Sequence, residues 1–227
     1  EETFYDDRDL YLPLLTTQGA AEAGGAATAA PYQRVVDDSE EALIALEKLK
    51  AWSDTSPHGI SKFAKLLQAQ SQNALLQEVG LTRLSGLLGE VRDQKTQPAG
   101  LAPRALMPIV AAAMERFPQD KQVQRQGCSA LRAISLSPSS GLSACLEADG
   151  AKMLVAVMRQ HLRDVDVCRT AATSLATMVN KSQGSPVEMS RLRSCGAQAL
   201  LQDILVHHCN DVQLDKVARQ TIPFLKG

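Results

Sequence analysis

From Ser39 to Leu225 the apolar residues recur at helical spacing, and nothing in that span alternates as a strand does. Positions n, n+4, n+8 and n+11 share one face of an α-helix. They read Leu76, Gly80, Leu84, Leu87, and then Val123, Gly127, Leu131, Ile134. Two further copies read Val167, Ala171, Leu175, Met178 and Leu214, Ala218, Ile222, Leu225. Successive copies are offset by 47, 44 and 47 residues, so the pattern predicts an internal repeat. The second position is Gly or Ala every time. A small residue there lets a neighbouring helix come close, against the helix-propensity cost of Gly.

A second helix precedes each of the last three long ones. Ile109, Val110 and Met114 recur as Met153, Leu154 and Met158, then as Ala199, Leu200 and Ile204. Two of these helices start directly after Gly-Ala pairs, Gly150-Ala151 and Gly196-Ala197; Pro108 stands close to the start of the other, where a missing N–H does least harm. Shorter helices over roughly 140–148 and 186–194 complete a three-helix unit. The opening helix of the first unit is not found. Ser56-Pro57-His58-Gly59, Gln97-Pro98-Ala99-Gly100, Ser137-Pro138-Ser139-Ser140-Gly141 and Gln183-Gly184-Ser185-Pro186 read as turns between helices.

Ahead of this pattern, residues 1–15 mix acids and aromatics (Phe4, Tyr5, Asp6, Asp7, Asp9, Tyr11), and residues 16–31 form an Ala/Gly tract that reads as a flexible linker. Ser39 is the predicted N-cap of the first helix, with Glu40 and Glu41 in its first turn. The expected organisation is an arm plus linker over 1–38 and a helical repeat domain over 39–227, opened by a capping helix that ends near Trp52. The fold class is all-α, a right-handed stack of three-helix units.

Composition agrees with this. Aromatics are only 4% of the 227 residues, which favours helices packed through small side chains over a β-sandwich or barrel. A net charge of −1 argues against a general nucleic-acid binder, because phosphate neutralisation needs a basic excess. The five cysteines Cys128, Cys145, Cys168, Cys195 and Cys209 include no C-x-x-C pair and read as small buried apolar residues of a reducing, cytoplasmic compartment. No apolar run reaches the ~18 residues of a membrane span. The chain opens on Glu1-Glu2 without an initiator Met and reads as a fragment.

A unit of this length, with Gly before its second helix and a small residue inside its third, resembles the armadillo repeat. The segments Val123-Gln124-Arg125-Gln126-Gly127-Cys128-Ser129-Ala130-Leu131 and Glu147-Ala148-Asp149-Gly150-Ala151 carry the likeness, which covers about residues 55–225. It implies an armadillo-like α-solenoid. More narrowly, the low aromatic content and the acidic arm resemble the armadillo-repeats-only proteins of apicomplexan parasites. That likeness implies an adaptor on the cytosolic face of a secretory organelle, held by a lipidated N-terminus outside this fragment.

The resemblance also places the third helices side by side along a concave groove lined by positions n+2, n+6 and n+10. The Asn that peptide-binding members carry at n+10 is replaced by Gly86, Ala133, Thr177 and Phe224, and their Trp at n+6 by Thr82, Ser129, Thr173 and Gln220. A nuclear-import type of peptide grip is not expected. Position n+2 reads Glu78, Arg125, Arg169 and Lys216, a basic column spaced by roughly the 10 Å between packed helices. With Arg132 and the hydroxyls of Ser129, Thr173 and Thr177, this surface suits carboxylates or phosphates on a partner. The acidic arm is an internal candidate for the same groove.

No P-loop, GxGxxG, HExxH or GxSxG signature occurs. His207-His208-Cys209 reads as a helix end, with His207 aligned to His161, and not as a metal site. The methionines at 107, 114, 153, 158 and 178 read as core. The expected function is a non-catalytic, protein-binding adaptor or scaffold without cofactor or metal. Its expected partners are other proteins, among them acidic segments or a motor or adaptor protein; a structural component of a cytoskeletal or axonemal assembly is the alternative.

Overall fold

A computed structural model describes residues 32–93, 103–138 and 140–226, and the residues from Arg34 onward form one compact unit. The acidic arm, most of its linker, the Gln97–Gly100 turn and the stretch where the second unit's short helix would fall lie outside the described residues. Those described are all-helical, with no strand among them. In chain order the helices are α1 (Glu40–Lys50), α2 (Pro57–Ala69), α3 (Ala74–Asp93), α4 (Pro103–Arg116), α5 (Lys121–Leu136) and α6 (Gly141–Glu147). They continue as α7 (Gly150–Gln160), α8 (Val165–Ser182), α9 (Pro186–Arg193), α10 (Ala197–His207) and α11 (Val212–Leu225).

The repeat template is the core. Its apolar positions on α3, α5, α8 and α11 are all buried, from Leu76 to Leu225. Each long helix packs on the next, α3 on α5, α5 on α8 and α8 on α11, and each packs on the middle helix before it, α2, α4, α7 or α10. The small residue serves that second contact. A Cβ on Gly80 would stand 2.3 Å from Leu67 Cδ1 of α2, and one on Gly127 would stand 2.5 Å from Met114 Cγ and Sδ of α4. The capping helix α1 packs on α3. Trp52, just beyond it, sets its ring edge-on to Phe63 of α2 at 5.6 Å, and its Nε1–H donates to the Asp54 carbonyl.

The same starting chemistry recurs at every long helix. Asn73, Asp120, Asp164 and Asp211 all lie three residues before n, and each side chain accepts from backbone N–H groups of the first turn. They are N-caps, which satisfy donors that a helix start leaves free. On α3, α5 and α8, though not on α11, where Asp215 pairs with Arg219, position n+1 then closes the preceding middle helix. Gln77 Nε2 donates to the carbonyls of Leu67 and Gln70, and Gln124 Nε2 to those of Met114 and Phe117. In the next unit the Cys168 thiol occupies this place, against the carbonyls of Met158 and His161.

Several local expectations are corrected. Ser56-Pro57-His58-Gly59 is the start of α2 and not a turn, because Ser56 Oγ accepts from the Gly59 N–H and Pro57 opens the helix. Gln183-Gly184 is the expected turn, and Ser185-Pro186 after it starts the expected short helix, α9, as Ser56-Pro57 starts α2. Pro108 lies inside α4, whose first residue is Pro103. The Gly-Ala pairs are not equivalent: Asp149 takes the left-handed turn before α7 at φ 56°, whereas before α10 Gly196 itself takes it at φ 75°. Asp tolerates that region better than most side chains, so Gly150 is free to be the first helical residue.

Candidate interaction surface along the long helices

The N-cap carboxylates do more than start helices: each also receives a cation from a preceding element. Asp164 binds Lys121 Nζ at 2.9 Å, and Asp211 binds Arg169 through Nε at 3.3 Å and Nη2 at 2.5 Å. Asp120 binds Arg34 Nε at 3.3 Å. These pairs join α5 to α8, α8 to α11, and the segment before α1 to α5. Burial works against ionisation of Asp164, but Lys121 and the N–H groups of Val167 and Asp166 outweigh it and hold its carboxyl below the usual range. Arg169, with the Leu214 N–H, does the same for Asp211.

Further bonds run between units along the stack. His161 Nε2 lies 2.8 Å from the Pro118 carbonyl, and His208 Nε2 lies 2.6 Å from that of Leu162. A carbonyl only accepts, so each ring donates. His208 is therefore the counterpart of His161, and exposed His207 is not. The one-residue shift follows from the unequal Gly-Ala turns. Ser174 Oγ donates to the Cys128 carbonyl, and Lys181 Nζ donates to the carbonyls of Ser135 and Ser137 at the end of α5. Desolvation lowers the Lys181 ammonium below its ordinary range. Among the described residues no group of His, Cys, Asp or Glu is placed to hold a metal ion.

The eight residues singled out from the sequence fall into two groups. Arg125 on α5 is half-buried, Arg132 is exposed, and Lys216 on α11 is exposed; none of the three has an ion pair among the described residues. Ser129, on the same helix as the two arginines, is half-buried, and Gln220 is exposed on α11. Arg169 is different. It is spent on Asp166 and Asp211, so it serves as a strut between α8 and α11. Thr173 and Thr177 donate their hydroxyls to the carbonyls one turn back, Arg169 and Thr173, which leaves the oxygens as acceptors only. Glu78 is held by Arg34.

Sequence reasoning missed the N-cap row and the n+1 row. Both were visible as Asn or Asp at n−3 and as Gln at n+1 in the first two copies, had polar positions been aligned along with the apolar ones. The pairing of Arg34 had no such signal. Compared with known families, characterised proteins and solved structures, the chain matches none, so its own geometry carries the functional reading.

Proposed function

We propose that this chain is a non-catalytic, protein-binding scaffold, an armadillo-like α-solenoid that docks partners along α3, α5, α8 and α11. The observation that supports this most is the repetition of one bonding scheme at successive long helices, which uses the N-cap acids and some cations internally and leaves Arg125, Arg132 and Lys216 without an ion pair among the described residues. A stack of this kind offers an extended surface and not a single pocket. These cations favour acidic segments or phosphorylated side chains of a partner, through charge-assisted hydrogen bonds. Five free thiols, four of them buried, suit a reducing compartment. Among the described residues no helix is long and apolar enough to cross a membrane.

The test is affinity capture from cells with the wild-type chain against Arg125→Glu combined with Lys216→Glu. Arg169→Glu is a poor choice, since it breaks the strut to α11 and confounds binding with stability. Proteins held by wild type and lost from a double variant of unchanged helicity and melting temperature support the reading. Retention of every partner refutes the basic surface.

A further inference from the structure

The three salt links to N-cap acids differ in where the cation comes from. At α8/α11 it is Arg169, the n+2 residue of the preceding long helix, and at α5/α8 it is Lys121, at the start of the preceding long helix. At α3/α5 the n+2 residue is Glu78, which has the wrong sign. Two acids, Glu78 and Asp120, therefore meet one guanidinium, that of Arg34, which comes from the non-helical segment before α1. Arg34 puts Nη2 on Glu78 and Nε on Asp120. The backbone beside it is bound too. The Ala74 N–H, a free donor at the start of α3, donates to the Val35 carbonyl at 2.9 Å, and Asn73 Nδ2 donates to the Asp37 carbonyl at 2.9 Å.

From this we infer that Glu78, Asp120 and the Asn73–Ala74 helix start form a recognition notch for an arginine on an extended peptide, filled here in cis by Arg34. The inference rests on the reading of the long-helix surface as a docking site and names a second partner chemistry for it. The notch reads one guanidinium and two backbone carbonyls, one and three residues further on. It does not read the side chains between: Val35 and Val36 are exposed, at 55% and 41%. Arginine is demanded over lysine because two nitrogens of a rigid fork must reach two separate carboxylates. A partner carrying an extended Arg-containing segment would displace the strap and take over both acids. Acidic partner segments would be held further along, at Arg125 and Lys216.

The test uses the full chain and a labelled synthetic peptide copying residues 33–38. The Arg34→Ala chain is expected to bind this peptide about tenfold or more tighter than wild type, whose notch is occupied. Adding Glu78→Gln to Arg34→Ala should abolish that gain, as should replacing the peptide's arginine by glutamine. Equal binding to wild type and Arg34→Ala, or a gain that survives Glu78→Gln, overturns the inference. A second measurement needs no variant. In wild type, raising the salt should speed amide exchange at Ala74 several-fold, because an ion pair holds the strap. Exchange at Gln77, whose N–H bonds to the Asn73 carbonyl, should stay unchanged. Equal salt response at both amides counts against the strap. Neither measurement involves Arg125 or Lys216, so failure of the notch and failure of the basic surface are separately visible.

Discussion

Replacing Gln124 by Met tests the idea that the n+1 side chain of α5 closes the preceding middle helix. Gln124 is 2% exposed, and its Nε2 donates to the Met114 carbonyl at 2.7 Å and the Phe117 carbonyl at 3.0 Å. Met has nearly the same length and flexibility, so the substitution removes donors without opening a large cavity. The Met114 carbonyl belongs to the last turn of α4, where helical N–H donors run out, and the Phe117 carbonyl just beyond it also accepts from the Asp120 N–H. Each lost bond costs a net of about 0.5–1.5 kcal/mol, so the pair comes to about 2 kcal/mol. For a domain of this size that lowers the melting temperature by roughly 4–8 °C. Thermal and urea unfolding followed by circular dichroism measure it. Gln220→Met, at an exposed position of α11, is the control and should stay within about 0.5 kcal/mol of wild type. If Gln124→Met melts within 1 °C of wild type at an unchanged urea slope, the carbonyl-capping role is wrong.

Two further outcomes follow from the same geometry. The Asp211 carboxyl is held low by Arg169, and a depressed folded-state value stabilises above the unfolded value of about 3.9 and is lost as pH falls through the folded one. Asp211→Asn keeps an N-cap acceptor but loses the charge; its melting temperature should fall below wild type near pH 6–7 and converge with it at the acid end, and a gap that persists unchanged at pH 2 would contradict the link. Cys209 is the exposed thiol, whereas burial pushes Cys145 and Cys168 up to about 12 and also raises Cys128 and Cys195. A thiol reagent at pH 8 should therefore modify one cysteine per native chain promptly and five after denaturation; two or more prompt thiols would show that the stack opens.

Much of the architecture was open to reading because burial imposes a period. Leu76, Val123, Val167 and Leu214 had to be apolar in every copy, and Gly80 and Gly127 had to be small where Leu67 and Met114 press in. The short helices near 140–148 and 186–194 emerge as α6 and α9 for the same reason. Helix starts were read less well. Ser-Pro pairs open a helix as readily as they end one, and which they do depends on whether the Ser hydroxyl finds an N–H three residues on, as Ser56 does at Gly59.

Polar positions are where sequence and structure part. Arg125 and Arg169 occupy the same place in the repeat, yet one has no ion pair among the described residues and the other is tied to Asp211, 42 residues away. Nothing local distinguishes them: Asp211 is opposite Arg169 only because α8 and α11 are stacked. Glu78 is the wrong sign for its column, a discrepancy visible in the sequence, but its answer, Arg34, lies 44 residues upstream in a segment without periodicity. The chain alone thus determined the helical repeat and the register and buried face of its long helices, since those rest on spacing within one helix. Only the tertiary structure decided which charges remain available to a partner, because a Coulombic pair depends on distances between elements that no spacing along one helix encodes.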